Sequence, residues 1–302
     1  MSRPLPRITV VTPAYQQIAY IEETLRSVVE QGYPDLELIV LDGGSTDGTV
    51  DVIRRYESKI AHWQSARDKG PYDAVERGFA RATGEVLCWL NSSDVYFPWT
   101  LRTVGSLFAE LPEVEWITSL QPVRADVTAM CAIIGRDPGF SREAFLDGRF
   151  IGHRPALRTV GQRGWIQQEA TFWRRSLWER SGGTIGQYKL AADFNLWARF
   201  YEHADLVGVD APLALFRVHP EQRSGHMDRY CAEATSSLAR LREALGWQLP
   251  RARAAAYRAR LPRVPGLAEA LAPALGYRGK RAVRRAGADG VARWVCEEHA
   301  FF

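Results

Sequence analysis

Two periodicities alternate through the first 120 residues. Ile8-Thr9-Val10-Val11-Thr12-Pro13 is a nearly continuous apolar run, and residues 36–41 and 86–90 repeat that character. Runs of this kind suit central parallel strands, which are buried on both faces. Between them, residues 19–31 bring Ile21, Leu25, Val28 and Val29 onto one helical face, and Gly32-Tyr33-Pro34 stops the helix. Thr46 and Asp47 can cap a second helix that carries Val50, Ile53 and Tyr56. Residues 60–64 read as a short strand and 72–82 as a helix. Pro98 opens another helix with Leu101, Val104, Leu107 and Phe108 inward. Alternating strands and helices imply βαβ units, hence an α/β fold with a mostly parallel, Rossmann-like central sheet flanked by helices.

Beyond residue 115 the pattern loosens. Residues 115–120 read as a strand. Residues 121–164, dotted with glycine and proline, read as loop with short helical pieces. Helical spacing returns at 176–180 and 193–203, strands at 206–209 and 213–218, and a long helix at 227–247. After Pro250 the composition shifts to Ala, Arg, Pro and Gly, which suggests a helical appendage from about residue 251. The expected division is one α/β domain over 1–224 and a helical extension over 225–302.

Composition narrows the class. With 46% hydrophobic and 25% charged residues, the 302-residue chain can bury a sizeable core. Ten Trp, eleven Tyr and twelve Phe would suit a sugar-handling surface, although core packing is the commoner use of an aromatic ring. From Arg251 onward, eleven Lys and Arg face four Asp and Glu, a local +7 within a total of +4, which leaves −3 on residues 1–250. A basic tail can touch an anionic surface such as phospholipid, or it can be a solvated face. The four cysteines, Cys88, Cys131, Cys231 and Cys296, are widely spaced, which argues against a zinc site and a disulfide framework and agrees with a reducing cytosol. No signal-peptide core or membrane-spanning run is legible. The expectation is a cytoplasmic protein, in peripheral contact with the inner face of the membrane if the basic tail binds lipid, and no nucleic-acid partner is expected.

The candidate chemistry sits at strand ends. Strand 36–41 runs into Asp42 and the turn Gly43-Gly44-Ser45-Thr46-Asp47-Gly48-Thr49, and strand 86–90 runs into Asn91-Ser92-Ser93-Asp94. Open α/β sheets bind ligands beyond the carboxyl ends of their strands. A glycine-lined, oxygen-rich cleft there suits a nucleotide, and a carboxylate suits Mg²⁺ or Mn²⁺ held jointly with phosphates. No G-x-G-x-x-G turn follows the first strand, which sets aside a nicotinamide dehydrogenase. No glycine-rich basic loop follows it either, which sets aside a sugar nucleotidyltransferase.

These motifs carry a resemblance. Val11-Thr12-Pro13-Ala14-Tyr15, the Asp42–Thr49 turn, Asp68-Lys69-Gly70 with Tyr72-Asp73-Ala74, and Leu90–Asp94 resemble, in order and spacing, the nucleotide-binding half of the family 2 inverting glycosyltransferases, which have the GT-A fold. Gln168–Arg175, Ala192–Trp197 and Phe216–Pro220 extend the resemblance to about residue 224. It implies that residues 1–120 hold the donor and 121–224 the acceptor side. It further implies transfer of a sugar from a nucleotide-sugar, most readily a UDP-sugar, to an acceptor hydroxyl of a glycan or lipid-linked carrier in cell-surface glycan biosynthesis.

On that resemblance, Asp42 accepts from a uracil imide or ribose hydroxyl, Thr12, Pro13 and Tyr15 form the opposite wall, and Asp68 helps hold the nucleoside. Asp94 is the metal ligand, with Ser93 beside it and His219 completing the shell. Asp193 is the catalytic base. Gln168, Trp173 and Arg174 face the acceptor side, Trp173 to stack on a sugar and Arg174 to reach a phosphate. The resembled family usually has two acidic residues where this chain has Asn91-Ser92-Ser93-Asp94. Plainer readings stand beside these: a turn-forming Asp42, an N-capping Asp193, a core Trp173, a structural His219. A family-like protein that binds nucleotide or glycan without turnover is the alternative.

Overall fold

The computed structural model describes residues 3–128, 132–151, 165–185, 187–220, 222, 226–259, 261 and 266–301. Its first apolar run is β1 (Ile8–Ala14), buried along its whole length. Then follow α1 (Ile21–Val29), β2 (Leu36–Asp42), α2 (Thr49–Arg55), β3 (His62–Ser65), α3 (Pro71–Arg81) and β4 (Val86–Trp89). These strands pair in parallel, β1 with both β2 and β4, and β2 with β3. The register sets Ala14 beside Asp42 and Asp42 beside Ser65, so the carboxyl ends of three strands finish level.

The chain continues through β5 (Val95–Tyr96), α4 (Thr100–Glu110), β6 (Trp116–Ser119), β7 (Val123–Ala125), β8 (Ala132–Ile134), α5 (Arg142–Leu146), β9 (Phe172–Arg174), α6 (Arg175–Arg180), α7 (Ala192–His203), β10 (Val207–Val209) and β11 (Ala214–Arg217). It ends with α8 (Met227–Ala244), α9 (Arg251–Arg258), α10 (Leu267–Leu275), β12 (Tyr277–Ala286) and β13 (Ala292–Phe301). The main sheet has the order β13-β12-β10-β6-β9-β4-β1-β2-β3, and a smaller one runs β5-β11-β7-β8. The expected α/β sheet is therefore present, mostly parallel, with β9 and β13 running against their neighbours.

Two expectations need correction. The tail read as wholly helical holds α9 and α10 but finishes in the β12–β13 hairpin, and β12 pairs in parallel with β10, extending the main sheet. Arg and Ala favour helix intrinsically, and tertiary pairing overrides that weak preference. Among residues 121–164, read as loop with short helical pieces, α5 is such a piece, while the strands β7 and β8 were not expected, each too short for periodicity to reveal. Residues 129–131 and 152–164 of that stretch, with Cys131, lie outside the described residues.

Behind the sheet ends lies an aromatic core. Trp89, Trp116, Trp173 and Trp197 are all essentially buried. Trp173 meets Trp89 edge-on at 5.6 Å and Trp197 at 5.8 Å, with Phe79 and Phe200 adding to the contact. Such pairs contribute about 0.5–1.5 kcal/mol each beyond the area they bury. Cys88, Cys231 and Cys296 are free thiols. No helix among the described residues is long and apolar enough to cross a membrane.

Candidate functional site

The first half of the site is built on the ends of β1, β2 and β3. Asp42 is buried, and its Oδ2 accepts from the N–H groups of Gly44 and Ser45 at 2.9 and 2.8 Å and from Ser65 Oγ at 2.6 Å. Ser45 Oγ donates to Oδ1. Asp42 thus organises its own turn, with acceptor capacity remaining only on Oδ1. A side chain on Gly43 would be tight, with a Cβ 3.1 Å from Asp68 Oδ2 and 3.2 Å from the Tyr15 ring. That closeness groups Tyr15, Gly43 and Asp68 into one cradle, in which the Tyr15 ring is 61% exposed and Asp68 Oδ1 accepts from Gly70 N–H at 2.8 Å. Pro13 and Thr12 are buried at the end of β1, and Thr12 Oγ1 has no hydrogen-bond partner among the described residues.

Gln16, which the sequence motifs did not single out, locks the two loops. Its amide exchanges bonds with Thr46, its N–H donates to Ser45 Oγ at 2.8 Å, and its backbone adopts the left-handed region at φ +53°. A strained non-glycine backbone of this kind persists only where its surroundings hold it.

The second half surrounds Asp94. Its carboxylate is buried and accepts from Arg217 N–H and the Asn91 amide, both at 3.1 Å. Burial pushes its pKa up to about 7, against those two hydrogen bonds and the Arg217 charge. Arg217, at the end of β11, is itself buried; Nε donates to Ser93 O and Nη1 to Val127 O, while Nη2 pairs with Glu23. The Tyr20 ring lies 5.3 Å from that guanidinium and 5.0 Å from the His219 ring, which brings His219 beside this cluster. Ser93 is half-buried and contributes its carbonyl. Gln168 serves the same loop: Nε2 donates to Trp89 O at 2.6 Å, and Oε1 accepts from Asn91 at 3.1 Å.

Asp193 occupies the first turn of α7. Phe194 N–H donates to Oδ1 at 2.8 Å and the Tyr230 hydroxyl to Oδ2 at 3.4 Å. Burial raises its pKa to about 6 in spite of those donors, with Glu233 adding repulsion. Asp193, Asn91, Gln168 and His219 line one cavity of about 730 Å³, together with Glu169, Tyr72 and Tyr230. Trp165, Phe216, Val218 and Met227 add apolar surface to its lining, and Arg124, Arg136 and Asp137 add polar groups. Glu169 and Tyr230 escaped the sequence reading. Glu169 is one letter inside a quoted motif, and Tyr230 lies on a helix whose inward spacing marked it only as packing.

Two expected acceptor residues lie elsewhere. Trp173 is fully buried in the aromatic core and can stack on no ligand. Arg174 donates to the carbonyls of Val114, Phe108 and Leu111 and pairs with Glu85. The reason is strand direction. β9 runs antiparallel to β4, so Arg174 pairs with Val86, at the end of β4 opposite to Asn91.

The donor set can be tested against a divalent cation. Among the described residues no three His, Cys, Asp or Glu side chains converge to hold an ion. The cluster nevertheless offers a hard carboxylate whose ionised form lacks full compensation and, by way of Tyr20, an imidazole beside it. These fit Mg²⁺ or Mn²⁺ that draws much of its coordination from phosphate oxygens and water.

The chain was compared with known proteins. Residues 9–114 match the sequence profile described as glycosyl transferase family 2. TuaG of Bacillus subtilis, whose name assigns it to teichuronic acid biosynthesis, is 36% identical over 201 residues, covering 63% of this chain and 79% of TuaG. The chain belongs to glycosyl transferase family 2. An uncharacterized glycosyltransferase of Mycobacterium tuberculosis is 39% identical over 198 residues, which span 62% of this chain and 66% of that relative. Among solved structures, Staphylococcus aureus TarS 1-349 in complex with UDP-GlcNAc superposes with a TM-score of 0.54 at 16% identity, covering 84% of this chain and 79% of that one. The mannosyltransferase PcManGT of Pyrobaculum calidifontis, in complex with GDP-Man and Mn²⁺, gives 0.52 at 18%, covering 87% and 82%. At such identities the likeness establishes the GT-A fold of this family 2 chain.

Proposed function

We propose that this protein is a metal-dependent inverting glycosyltransferase that moves a sugar from a nucleotide-sugar, a UDP-sugar first among the candidates, to an acceptor hydroxyl in cell-surface glycan biosynthesis. The observation that carries the reading is Asp193. It is a buried carboxylate at a helix N-terminus, in the same cavity wall as Asn91 and Gln168, which brace Asp94. A base and a leaving-group site facing one cavity are what direct displacement requires.

In that reading the cradle of Tyr15, Gly43 and Asp68 receives the nucleoside, with Asp42 Oδ1 as acceptor and the ends of β1 as the far wall. The acceptor hydroxyl oxygen bonds to the anomeric carbon as the bond from that carbon to the diphosphate breaks, and its proton passes to the Asp193 carboxylate. Nucleophile and leaving group take opposite faces, so the configuration inverts. A divalent cation held by Asp94, with His219 beside it, would supply positive charge to the departing diphosphate. Arg217, Asn91 and Gln168 hold Asp94 in place. The apolar part of the lining, with Arg124 and Arg136, suits an acceptor that joins a glycan to a lipid-linked, anionic carrier. The names of TuaG and of the nucleotide-sugar complexes of TarS and PcManGT support the same class.

Thermal stability against UDP, GDP, dTDP and CMP, each with and without Mn²⁺, tests this. A ligand at about 100 times its dissociation constant adds roughly 2.7 kcal/mol to the native state. Stabilisation by one nucleotide, enhanced by Mn²⁺ and lost in Asp94→Ala, is expected. In the same assay Asp193→Asn keeps the nucleotide response while transfer falls by about 10²–10⁴-fold, the usual contribution of a general base. Nucleotide binding without Mn²⁺ dependence or turnover would favour the binding protein instead.

A further inference from the structure

Glu169 is a buried acid that takes no part in that transfer step. It is 3% exposed and lines the cavity together with Asp193, Asn91 and His219. Its Oε1 is buried with no hydrogen-bond partner among the described residues. Its backbone is not free to swing away. Residues Gln168–Ala170 form a single 3₁₀ turn, fixed by Gln168 Nε2 on Trp89 O at 2.6 Å and by Thr171 N–H on Gln168 O at 3.0 Å.

A buried acceptor without a partner is costly, and native structures retain few of them. A carboxyl held this way lowers stability unless a ligand completes it. Glu169 shares the cavity with Asp193, the base, and its neighbour Gln168 bonds to Asn91, which braces Asp94 on the leaving-group side. The group between a departing diphosphate and an attacking hydroxyl is the transferred sugar.

Resting on the glycosyltransferase reading, we infer that Glu169 is a sugar-recognition residue, whose free carboxyl oxygen hydrogen-bonds a hydroxyl of the transferred sugar and so selects the sugar of the donor rather than its nucleotide. The buried, unpartnered Oε1 of Glu169 can accept from a sugar hydroxyl placed in the cavity. Sites built to bond a hydroxyl discriminate strongly against a sugar that presents none there, because the buried group is then left unpaired.

The test compares wild type, Glu169→Ala, Glu169→Leu and Glu169→Gln by calorimetric titration with UDP, GDP, UDP-GlcNAc, UDP-glucose, UDP-galactose and GDP-mannose in Mn²⁺. The expected result is that Glu169→Ala weakens the preferred nucleotide-sugar by about tenfold or more, the scale of a buried polar contact. Its affinity for the matching free nucleotide stays within about twofold, and preference among the sugars flattens. Glu169→Leu, which fills the volume without a polar atom, reads the same contrast should the alanine variant fold poorly, whereas Glu169→Gln can still bond a hydroxyl and should retain more of the affinity. Parallel weakening of the nucleotide and the nucleotide-sugar would overturn the inference, as would no change in either. If wild type binds none of these nucleotides, the parent reading falls and this inference with it; intact nucleotide binding with unaltered sugar preference sinks the inference alone.

Discussion

At the residue scale, the working groups of this site are buried acids whose charge the fold opposes. As the proposed base, Asp193 has to be ionised to accept a proton, yet burial lifts its pKa to about 6. The kcat/KM of the free enzyme should therefore fall about tenfold per pH unit below 6 and level off above it. The same shift has a stability consequence. The folded pKa lies above the ordinary carboxylate value of about 3.9, so the native state prefers the protonated form, and stability is lost as pH rises from that value through about 6. Asp193→Asn, which mimics the protonated group, should raise the Tm at pH 8 and leave it nearly unchanged at pH 4. A higher Tm at both would locate the strain in packing instead of charge. Trp173 shows the opposite kind of residue. In the aromatic core its truncation to Ala should cost about 3–5 kcal/mol of stability, measured by denaturant unfolding, whatever it does to activity.

At the element scale, α8 enters the site from beyond the motif-bearing region. Its Tyr230 donates to Asp193, and its Glu233 accepts from the N–H groups of Leu190 and Ala191 just before α7. The helix thus fixes both the proposed base and the turn that delivers it. Tyr230→Phe removes a donor to the ionised form, so the acidic limb of kcat/KM should move to higher pH, by up to about one unit for a bond worth ~0.5–1.5 kcal/mol. An unmoved limb with a general fall in rate would mean that Tyr230 only packs. α8 was legible as a helix from its spacing, but its partner was not: hydrophobic period gives the face an element buries, never what that face meets. β9 makes the same point in reverse. Gln168–Arg175 was legible as a motif, yet only an antiparallel strand sends Trp173 and Arg174 away from the site while Gln168 and Glu169 stay in it.

At the scale of the whole molecule, the basic tail becomes part of the sheet. Lys280 pairs with Asp205, Arg281 and Arg285 with Glu297, Arg293 with Asp289, and Arg253 with Glu143 and Asp147. Trp294 bonds to Glu110 and Ser106 of α4. Deleting the hairpin would bare β10 and expose a sheet edge, so the membrane proposal is better tested by charge. Arg278→Glu with Arg284→Glu, both exposed, should reduce binding to anionic phosphatidylserine vesicles while leaving the Tm near wild type; unchanged binding removes lipid contact from the proposal. The sequence by itself determined the alternating strands and helices from β1 through β4 and the acids at the strand ends, because period and turn chemistry are local and a carboxylate at a strand terminus needs no distant partner to be recognised. Tertiary structure alone decided which of the quoted residues share a cavity, that Glu169 and Tyr230 join them, and that a helix-prone tail closes the sheet. Those outcomes depend on strand direction and on contacts between residues far apart in the chain, which no local pattern encodes.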